Sequence, residues 1–314
     1  MKTTDFRDAA FGSIAELMRT DKNIVMLTGD MGAWGLDNIR KRFPKRFFNM
    51  GIAEQNMISV ASGMALSGKR VFAYAIIPHI TGRCWEQINL DVCSMGLRVI
   101  IIGVGSGLSY GVDGPTHHAI QDIPIMRALP GMEIYNPADS ATVSAAVHQT
   151  YKSAGPAYIR LDREQYEPIY KNPCHDFSTG LSTVIKGNDI NIIASGGLVH
   201  RAIEVSQHLQ KCSISTGVID LYRIKPVNTS ALKDVISRSK TIVTIEEQTS
   251  IGGIGSIVAE VMGESGSRAK LLRFSLGDQC YLGSSTRDWA HARCKMDTSN
   301  LIRILKDPEL IKTR

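Results

Sequence analysis

The chain has 314 residues, of which 43% are hydrophobic and 21% are charged, a balance typical of globular proteins that excludes a disordered chain. The formal charge of +6 comes from dispersed basic residues, which argues against binding to nucleic acid. The first ten residues contain no apolar signal segment, and the longest apolar run, 99–104, is too short to cross a membrane, so we expect a cytoplasmic protein.

In the first half of the chain, short β-branched runs alternate with amphipathic stretches, which is typical of βαβ units and a parallel sheet. The predicted strands are 24–28, 70–75, 99–104, 132–135 and 157–161, and the predicted helices are 6–19, 53–67, 84–94 and 139–153. Asp139, which follows a proline closely, is a good N-cap for the last of these helices.

The alternation stops over residues 165–183, a stretch with two prolines, a glycine and several small polar residues. A second series then predicts strands at 190–194, 216–220, 241–246 and 270–274, with helices at 199–210, 230–237 and 255–262. The sequence therefore predicts an α/β fold of two domains, each with a mostly parallel sheet flanked by helices. We expect the first domain at 1–170, a linker at 171–184 and the second domain at 185–314.

Six cysteines are spread through the chain without a C-x-x-C pair and without the spacing of a metal site. A chain of this length can bury enough apolar surface to fold without disulfides. We therefore expect reduced cysteines, most of them in the core.

The segment RFFNMGIAEQNMISVASGMALSG, residues 46–68, places Glu54 at the start of a helix rich in small residues. A carboxylate in the first turn gains about 0.3–1 kcal/mol from the helix dipole, so a purely structural role stays open. The string N-x-G-I-A-E-Q-N-M, however, closely resembles the segment of transketolases that contains their essential glutamate. The resemblance implies that Glu54 hydrogen-bonds the aminopyrimidine ring of thiamine diphosphate and helps to activate the cofactor. A buried carboxyl group on a rigid helix start suits that proton transfer.

The segment GLSYGVDGPTHHAIQDIPIMRALPGM, residues 107–132, places Asp113, His117 and His118 on a glycine- and proline-rich loop. A histidine pair on a loop is commonly a surface feature, although loops on a rigid scaffold often carry function. The string G-x-D-G-P-T-H also resembles transketolases. It implies that Asp113 recognises a sugar hydroxyl and that His117 assists proton transfer, whereas His118 is expected to be structural.

Shorter matches implicate Asp30, Arg163 and Arg7. Asp30 in LTGDMG matches an acidic residue near the cofactor of transketolases, with a turn or helix cap as an equal alternative. YIRLDREQ, residues 158–165, contains Arg160 and Arg163, and transketolases use an arginine here to hold the substrate phosphate. We favour Arg163, with a surface ion pair as the alternative. Arg7 matches an N-terminal arginine that also meets the substrate phosphate.

Three positions depart from the family pattern. Transketolases stack an aromatic ring on the pyrimidine, but the matching segment AYAIIPHITGR, residues 73–83, offers Ile76 and His79, of which His79 could stack through its imidazole. A phosphate-binding histidine of the family falls near Gly105, and a phosphate-binding serine falls within GAWGLDN, residues 32–38, where Trp34 and its neighbours supply no hydroxyl. These changes put two phosphate contacts in doubt and favour a special substrate.

In the second half, residues 245–262 place a glycine loop before a helix, an arrangement able to cradle an anion although it fits no nucleotide-binding motif. Together with IDLYRIKPVN, residues 219–228, it resembles the C-terminal domain of transketolases. That domain is structural and contributes dimer contacts, so the resemblance implies no catalytic residue here.

The resemblance covers residues 3–305 but matches only the pyrimidine-binding and C-terminal domains of a full transketolase. Thiamine-diphosphate enzymes hold the diphosphate and its metal with a G-D-G motif and a downstream asparagine, and this sequence contains no such string. The resemblance therefore implies the C-terminal subunit of a split transketolase, without metal ligands of its own. An N-terminal subunit would hold the diphosphate and Mg²⁺ (or Ca²⁺) in an α2β2 heterotetramer.

The implied reaction transfers a two-carbon ketol unit from a ketose or ketose phosphate to an aldehyde, through a carbanion on thiamine diphosphate. Two alternatives stay open: a thiamine-dependent enzyme that uses a 2-oxo acid such as pyruvate as donor, and a non-catalytic interaction subunit. The joint presence of Glu54, Asp113 and His117 argues against the non-catalytic subunit. The sequence identifies neither the sugar nor the acceptor.

Overall fold

The computed structural model describes residues 5–172, 174–282 and 286–310, so the outer ends of both predicted domains, 1–4 and 311–314, lie outside the described residues. The first sheet contains β1 (Ile24–Thr28), β2 (Phe47–Asn49), β3 (Arg70–Ile76), β4 (Val99–Val104), β5 (Glu133–Tyr135), β6 (Ala157–Leu161) and β10 (Arg223–Lys225). The second contains β7 (Ser182–Ile185), β8 (Ile190–Ala194), β9 (Thr216–Asp220), β11 (Thr241–Ile245) and β12 (Lys270–Phe274).

Helices cover both sheets. Those of the first half are α1 (Phe6–Thr20), α2 (Trp34–Arg42), α3 (Glu54–Leu66), α4 (Ile77–Ile80), α5 (Trp85–Gln87), α6 (Asp122–Arg127) and α7 (Ser140–Lys152). Those of the second half are α8 (Leu198–Lys211), α9 (Thr229–Ser237), α10 (Ile254–Ser265), α11 (Arg287–Arg293) and α12 (Thr298–Leu305). Within the described ranges, no helix is long and apolar enough to cross a membrane.

The predicted two-domain α/β fold is confirmed. Every predicted strand is present, and the Asp139 side chain caps α7 by accepting a hydrogen bond from the Thr142 N–H. The predicted helix at 84–94 is instead the short α5 followed by a π-helical stretch, Ile88–Cys93. The prediction missed β2 and β10, which are too short for a periodic signal, and β7, which begins inside the stretch expected to be a linker.

Both sheets are mainly parallel, with one antiparallel edge strand each. The strand orders are β10-β5-β6-β4-β3-β1-β2 and β12-β11-β8-β9-β7. The edge strand β10 comes from the second half of the chain yet pairs with β5 of the first sheet. Apolar side chains of α6 also share one core cluster with those of α9 and α10, so the two halves pack directly against each other.

The connections of β1 and β3 create a crevice at the carboxyl edge of the first sheet. The helix after β1 buries Leu36 and Ile39 against α1 on one face of the sheet, whereas the segment after β3 buries Ile80, Cys84 and Ile88 on the other face. Ligands of open α/β sheets bind where neighbouring connections diverge in this way. The fold therefore places a candidate site between the carboxyl ends of β1 and β3.

The expectation that most cysteines lie in the core is wrong, although all six are free thiols. Cys84 and Cys93 are buried, Cys294 is half-buried, and the other three are exposed: Cys174, Cys212 and Cys280. The exposed thiols lie in connecting segments or at a helix end, where little packs over a side chain.

Candidate active site

Glu54 begins α3 and points into the crevice between β1 and β3. It is only 3% exposed. A methyl group on Gly29, just after β1, would lie 3.4 Å from both Glu54 Cγ and Ala75 Cβ. Gly29 and Ala75 therefore line the crevice within van der Waals range of the Glu54 side chain.

The Glu54 carboxylate has one strong partner. Arg83 Nη1 donates a hydrogen bond to Oε2 at 2.7 Å, whereas His79 Nδ1 lies 3.8 Å from Oε1, beyond hydrogen-bond distance. A buried carboxylate is costly without a cation or donors, and Arg83 supplies both. In the part of the chain that the structure describes, Oε1 remains an acceptor without a hydrogen bond.

His79, on α4, lies beside this carboxylate, with its ring centre 5.1 Å from that of His117 and the two ring planes inclined by 66°. Burial and the nearby Arg83 charge lower the pKa of His79, so its imidazole is neutral at pH 7. Ile76 ends β3 at the same edge and is half-buried. A neutral ring beside an aliphatic side chain is a suitable surface for a flat heterocycle.

The loop after β4 and the end of β6 continue the site away from Glu54. His117 lies 5.4 Å from the Tyr110 ring, measured between ring centres, and Arg163 Cζ sits 4.2 Å from the Tyr110 ring centre, in cation–π geometry. Five side chains thus form an unbroken series across the edge, which we name the contact line: Glu54, His79, His117, Tyr110 and Arg163.

Tyr110 and Arg83 were missed by the sequence analysis, although both lie within its motifs. Gly105 has φ +95°, and a methyl group there would lie 2.0 Å from Tyr110 Cε2, so the ring occupies space that only glycine leaves free. By resemblance, a phosphate-binding histidine of transketolases falls near Gly105. The signal available was a glycine followed, five residues on, by an aromatic residue able to fold back over it.

The two neighbouring histidines have different environments. The Nδ1 atom of His117 is 2.9 Å from Thr116 Oγ1, and the ring is half-buried on the contact line. His118 is buried, and its Nε2–H donates to the Gly111 carbonyl at 2.8 Å. His118 therefore holds the turn Gly111–Asp113, which presents the exposed Asp113 side chain.

Asp30 and Arg7 are both paired within the chain. Asp30 is exposed with φ 56°, and its carboxylate accepts from Asn49 Nδ2 at 2.9 Å, while its N–H donates to Asn49 Oδ1 at 3.1 Å. Arg7 donates from Nε and Nη2 to Asp5 at 3.0 and 2.6 Å. The positive charges of Arg163 and Arg7 both act on Tyr110, partly opposing the rise in its pKa that burial causes.

Arg160 is a structural residue. Its buried side chain donates to Asp122 Oδ2 at 2.8 Å and to the Ala119 carbonyl at 2.9 Å, which anchors the far end of the loop that carries His117. This placement favours Arg163 as the substrate-facing arginine.

The glycine loop of the second half does not offer a free anion site. Glu246 places its own carboxylate at the start of α10, where it accepts from the N–H groups of Ile254 at 2.7 Å and Gly255 at 3.0 Å. Burial raises the pKa of Glu246 to about 7 despite these bonds. The expectation that this loop could cradle an external anion is therefore wrong.

A buried ionic network closes the rest of this edge between the two domains. Arg287 Nη2 lies 2.7 Å from Asp162 Oδ2 and 2.6 Å from Glu247 Oε2. His291 Nε2 is 2.6 Å from Glu247 Oε1, and its Nδ1 is 2.6 Å from Arg201 Nη1. Because a guanidinium can only donate, His291 Nδ1 is the acceptor and the imidazole is neutral.

Comparison with known proteins decides the family. Residues 2–168 match the family model described as transketolase, pyrimidine binding domain, and residues 181–288 match that of the transketolase C-terminal domain. The chain belongs to the transketolase family. Members of this family depend on thiamine diphosphate, and the two matched domains are those of a transketolase-type subunit.

Relatives of similar length support the same assignment. A putative transketolase C-terminal section of Methanocaldococcus jannaschii is 36% identical over 85% of this chain and 84% of its own. One subunit of an apulose-4-phosphate transketolase, from Phocaeicola vulgatus, is 34% identical over 81% of this chain and 82% of its own. A split-gene transketolase, solved as an inactive beta4 tetramer, superposes with a TM-score of 0.87 at 30% identity, over 99% of this chain and all of that one. These relatives favour a transketolase-type subunit over the 2-oxo-acid and non-catalytic alternatives.

Proposed function

We propose that this chain is the C-terminal subunit of a two-chain transketolase that moves a two-carbon ketol unit from a ketose donor to an aldehyde acceptor. The contact line from Glu54 to Arg163 is the observation that carries this proposal. It joins a buried carboxylate, two imidazoles, a phenol and a guanidinium along one sheet edge, which suits a cofactor ring at one end and a hydroxylated substrate beyond it.

Glu54, His79 and Ile76 would hold the aminopyrimidine ring. The free Oε1 acceptor of Glu54 fits a protonated ring nitrogen, while Arg83 fixes the other carboxylate oxygen. The neutral imidazole of His79 offers a stacking face, and Ile76 contributes apolar contact. When bound, thiamine diphosphate supplies a nucleophilic thiazolium carbon and an electron sink that amino-acid side chains lack. Asp30 would lie near the cofactor because it belongs to the turn next to Gly29, but its carboxylate is already paired with Asn49.

The remaining polar residues would bind and orient the substrate. His117, next along the line, would hold and move a proton at a substrate hydroxyl or carbonyl oxygen. Asp113, on the turn held by His118, would accept a hydrogen bond from a sugar hydroxyl. Arg163 and Arg7 flank Tyr110 and would contact the end of the substrate that is farthest from Glu54.

A second subunit would complete the site. The sequence contains no G-D-G string with a downstream asparagine, so the diphosphate and Mg²⁺ would be held by the second subunit. Three large apolar side chains are strongly exposed at this same edge: Trp34 at the start of α2, Ile52 just before α3, and Val112 in the turn Gly111–Asp113. They would pack against an N-terminal transketolase subunit in a heterotetramer with two copies of each chain.

The test is calorimetric titration of thiamine diphosphate and Mg²⁺ into the co-expressed pair, with each chain alone as a control. We expect tight binding by the pair only, and ketol transfer from a ketose to an aldehyde by the loaded pair. Equally tight binding by this chain alone would contradict the shared site. Binding by the pair without turnover of any ketose would contradict the proposed reaction.

A further inference from the structure

We propose that the substrate end farthest from Glu54 is an uncharged, hydroxylated group and not a phosphate. This inference rests on the proposed function and concerns the groups at the N-termini of α1 and α2. The start of α1 lies near Tyr110, because the Arg7 charge acts on the Tyr110 phenol, and the start of α2 is joined to α1 through Asp8 and Gly35. The chain's own carboxylates, Asp5 and Asp8, occupy the positive groups there.

Asp5 neutralises Arg7. The Asp5 carboxylate accepts from the Arg7 backbone N–H at 2.8 Å, from Nε at 3.0 Å and from Nη2 at 2.6 Å. The pair is largely shielded from water, with the Asp5 side chain 14% and the Arg7 side chain 28% exposed. A bidentate pair of this kind already uses the guanidinium edge that a phosphate would need.

Asp8 occupies the start of α2. Its Oδ1 accepts from the Gly35 N–H at 2.9 Å, and a methyl group on Gly35 would lie 2.9 Å from Phe11 Cβ and 3.2 Å from Asp8 Oδ1. Glycine at 35 therefore lets α2 approach α1 closely enough for this bond. The N–H groups of a helix start attract anions, and here a carboxylate of the chain has taken one of them.

The neighbouring positions offer little compensation for a phosphate. The segment around Trp34, which is 85% exposed, supplies no hydroxyl, and the Tyr110 ring fills the space over Gly105. Among the described residues, the exposed Arg163 side chain has no carboxylate partner, and it stacks on Tyr110. A phosphate dianion would therefore meet one unpaired guanidinium, that of Arg163, beside the Arg7–Asp5 pair, whose charges cancel, and the Asp8 carboxylate at the start of α2. Hydroxyl groups could hydrogen-bond to these side chains without that electrostatic cost.

The experiment uses the assembled complex loaded with thiamine diphosphate and Mg²⁺, one aldehyde acceptor, and paired donors: fructose and fructose 6-phosphate, with the uncharged four-carbon ketose erythrulose as a third donor. The wild type should show a kcat/KM for the unphosphorylated ketose at least equal to that for its phosphate ester. In the double variant D5N/D8N, the side-chain oxygens of the two asparagines can still accept hydrogen bonds, but both negative charges are removed. It should raise the ratio of kcat/KM for the phosphorylated over the unphosphorylated donor roughly tenfold or more.

E16Q, which neutralises an exposed carboxylate on the same helix, is the matched control and should leave the ratio unchanged. Wild-type preference for the phosphorylated donor by tenfold or more would overturn the inference. A D5N/D8N ratio equal to that of the wild type would overturn it as well.

A binding measurement separates this inference from the proposed function. Calorimetry with fructose 6-phosphate and with inorganic phosphate needs no turnover, and D5N/D8N should bind both more tightly than the wild type does. If no donor is turned over, including erythrulose, the proposed reaction fails, while the binding comparison still decides whether Asp5 and Asp8 exclude phosphate. Unchanged phosphate affinity in D5N/D8N would then count against the inference.

Discussion

Glu54 and Glu246 are two buried glutamates, each associated with the start of a helix at the edge of a parallel sheet, and they differ in what their oxygens contact. Both residues are 3% exposed. Glu246 gives its two oxygens to the backbone N–H groups of α10. Glu54 itself begins α3 and accepts a hydrogen bond from Arg83 on one oxygen, while its other oxygen has no hydrogen bond to any described residue.

The difference shows what makes a buried carboxylate available for chemistry. Hydrogen bonds that the chain satisfies itself stabilise the fold and leave nothing for a ligand, as with Glu246 and the network around Arg287. A buried acceptor without a hydrogen bond costs folding free energy. Such an acceptor is typical of a functional site, where a bound ligand donates the missing hydrogen bond. Burial and residue type do not distinguish Glu54 from Glu246. The activity and stability of variants at the two positions can distinguish their roles.

Glu54→Gln in the assembled complex should reduce kcat by about a thousandfold, because an amide cannot exchange a proton with the pyrimidine. Steady-state ketol transfer measures the loss, and thermal unfolding should change little. Glu246→Gln is the matched control, with the same substitution and the same burial, and it should retain turnover. Full activity of E54Q, or a comparable loss in E246Q, would remove the contrast between the two sites.

The adjacent residues His117 and His118 offer a second comparison between a proposed catalytic side chain and a structural one, with smaller expected effects. His117→Ala should lower kcat roughly a hundredfold with little effect on stability, because the ring is half-buried and its side chain hydrogen-bonds, among the described residues, to Thr116 alone. His118→Ala should instead destabilise the chain by about 1–3 kcal/mol, because it removes a buried hydrogen bond to Gly111. Turnover and denaturant unfolding of both variants test this, and the reverse pattern would mean that the roles are exchanged.

The fold was largely predictable because most of the predicted strands, such as β1, β4 and β8, are buried on both faces and read as continuous apolar runs. The strands that escaped prediction, such as β10, depend on pairing with distant residues. Glu54, Asp113 and His117 were selected by motif, and their roles stay predictions. Arg83 and Tyr110 could not be placed from sequence, because their contacts join segments whose relative position only the fold determines.

Glu246 predicts a pH dependence of the chain's stability. Burial raises its pKa from 4.5 in the unfolded chain to about 7 in the folded chain. Between these values the folded chain binds more protons, so this contribution to stability is full below pH 4.5 and is lost as the pH rises to 7. The loss is at most about 3 kcal/mol.

Glu246→Gln should therefore flatten the fall in Tm between pH 5 and pH 8 relative to the wild type. Other buried acids, such as Asp220, titrate equally in both proteins and cancel in the difference. Parallel Tm profiles for the two proteins would show that Glu246 does not titrate in this range.

Substitutions of Arg83 have the smallest expected effect on turnover. They test most directly whether Arg83 orients the Glu54 carboxylate for the cofactor. Arg83→Met removes the donor that fixes Oε2 at 2.7 Å, and we expect kcat to fall roughly tenfold with KM for the donor unchanged, because orientation is lost and substrate contacts are not. Arg83→Lys keeps the charge without the planar guanidinium and should recover part of that loss. If R83M turns over at the wild-type rate, the ion pair belongs only to the chain without its cofactor, and Glu54 needs no partner but the pyrimidine.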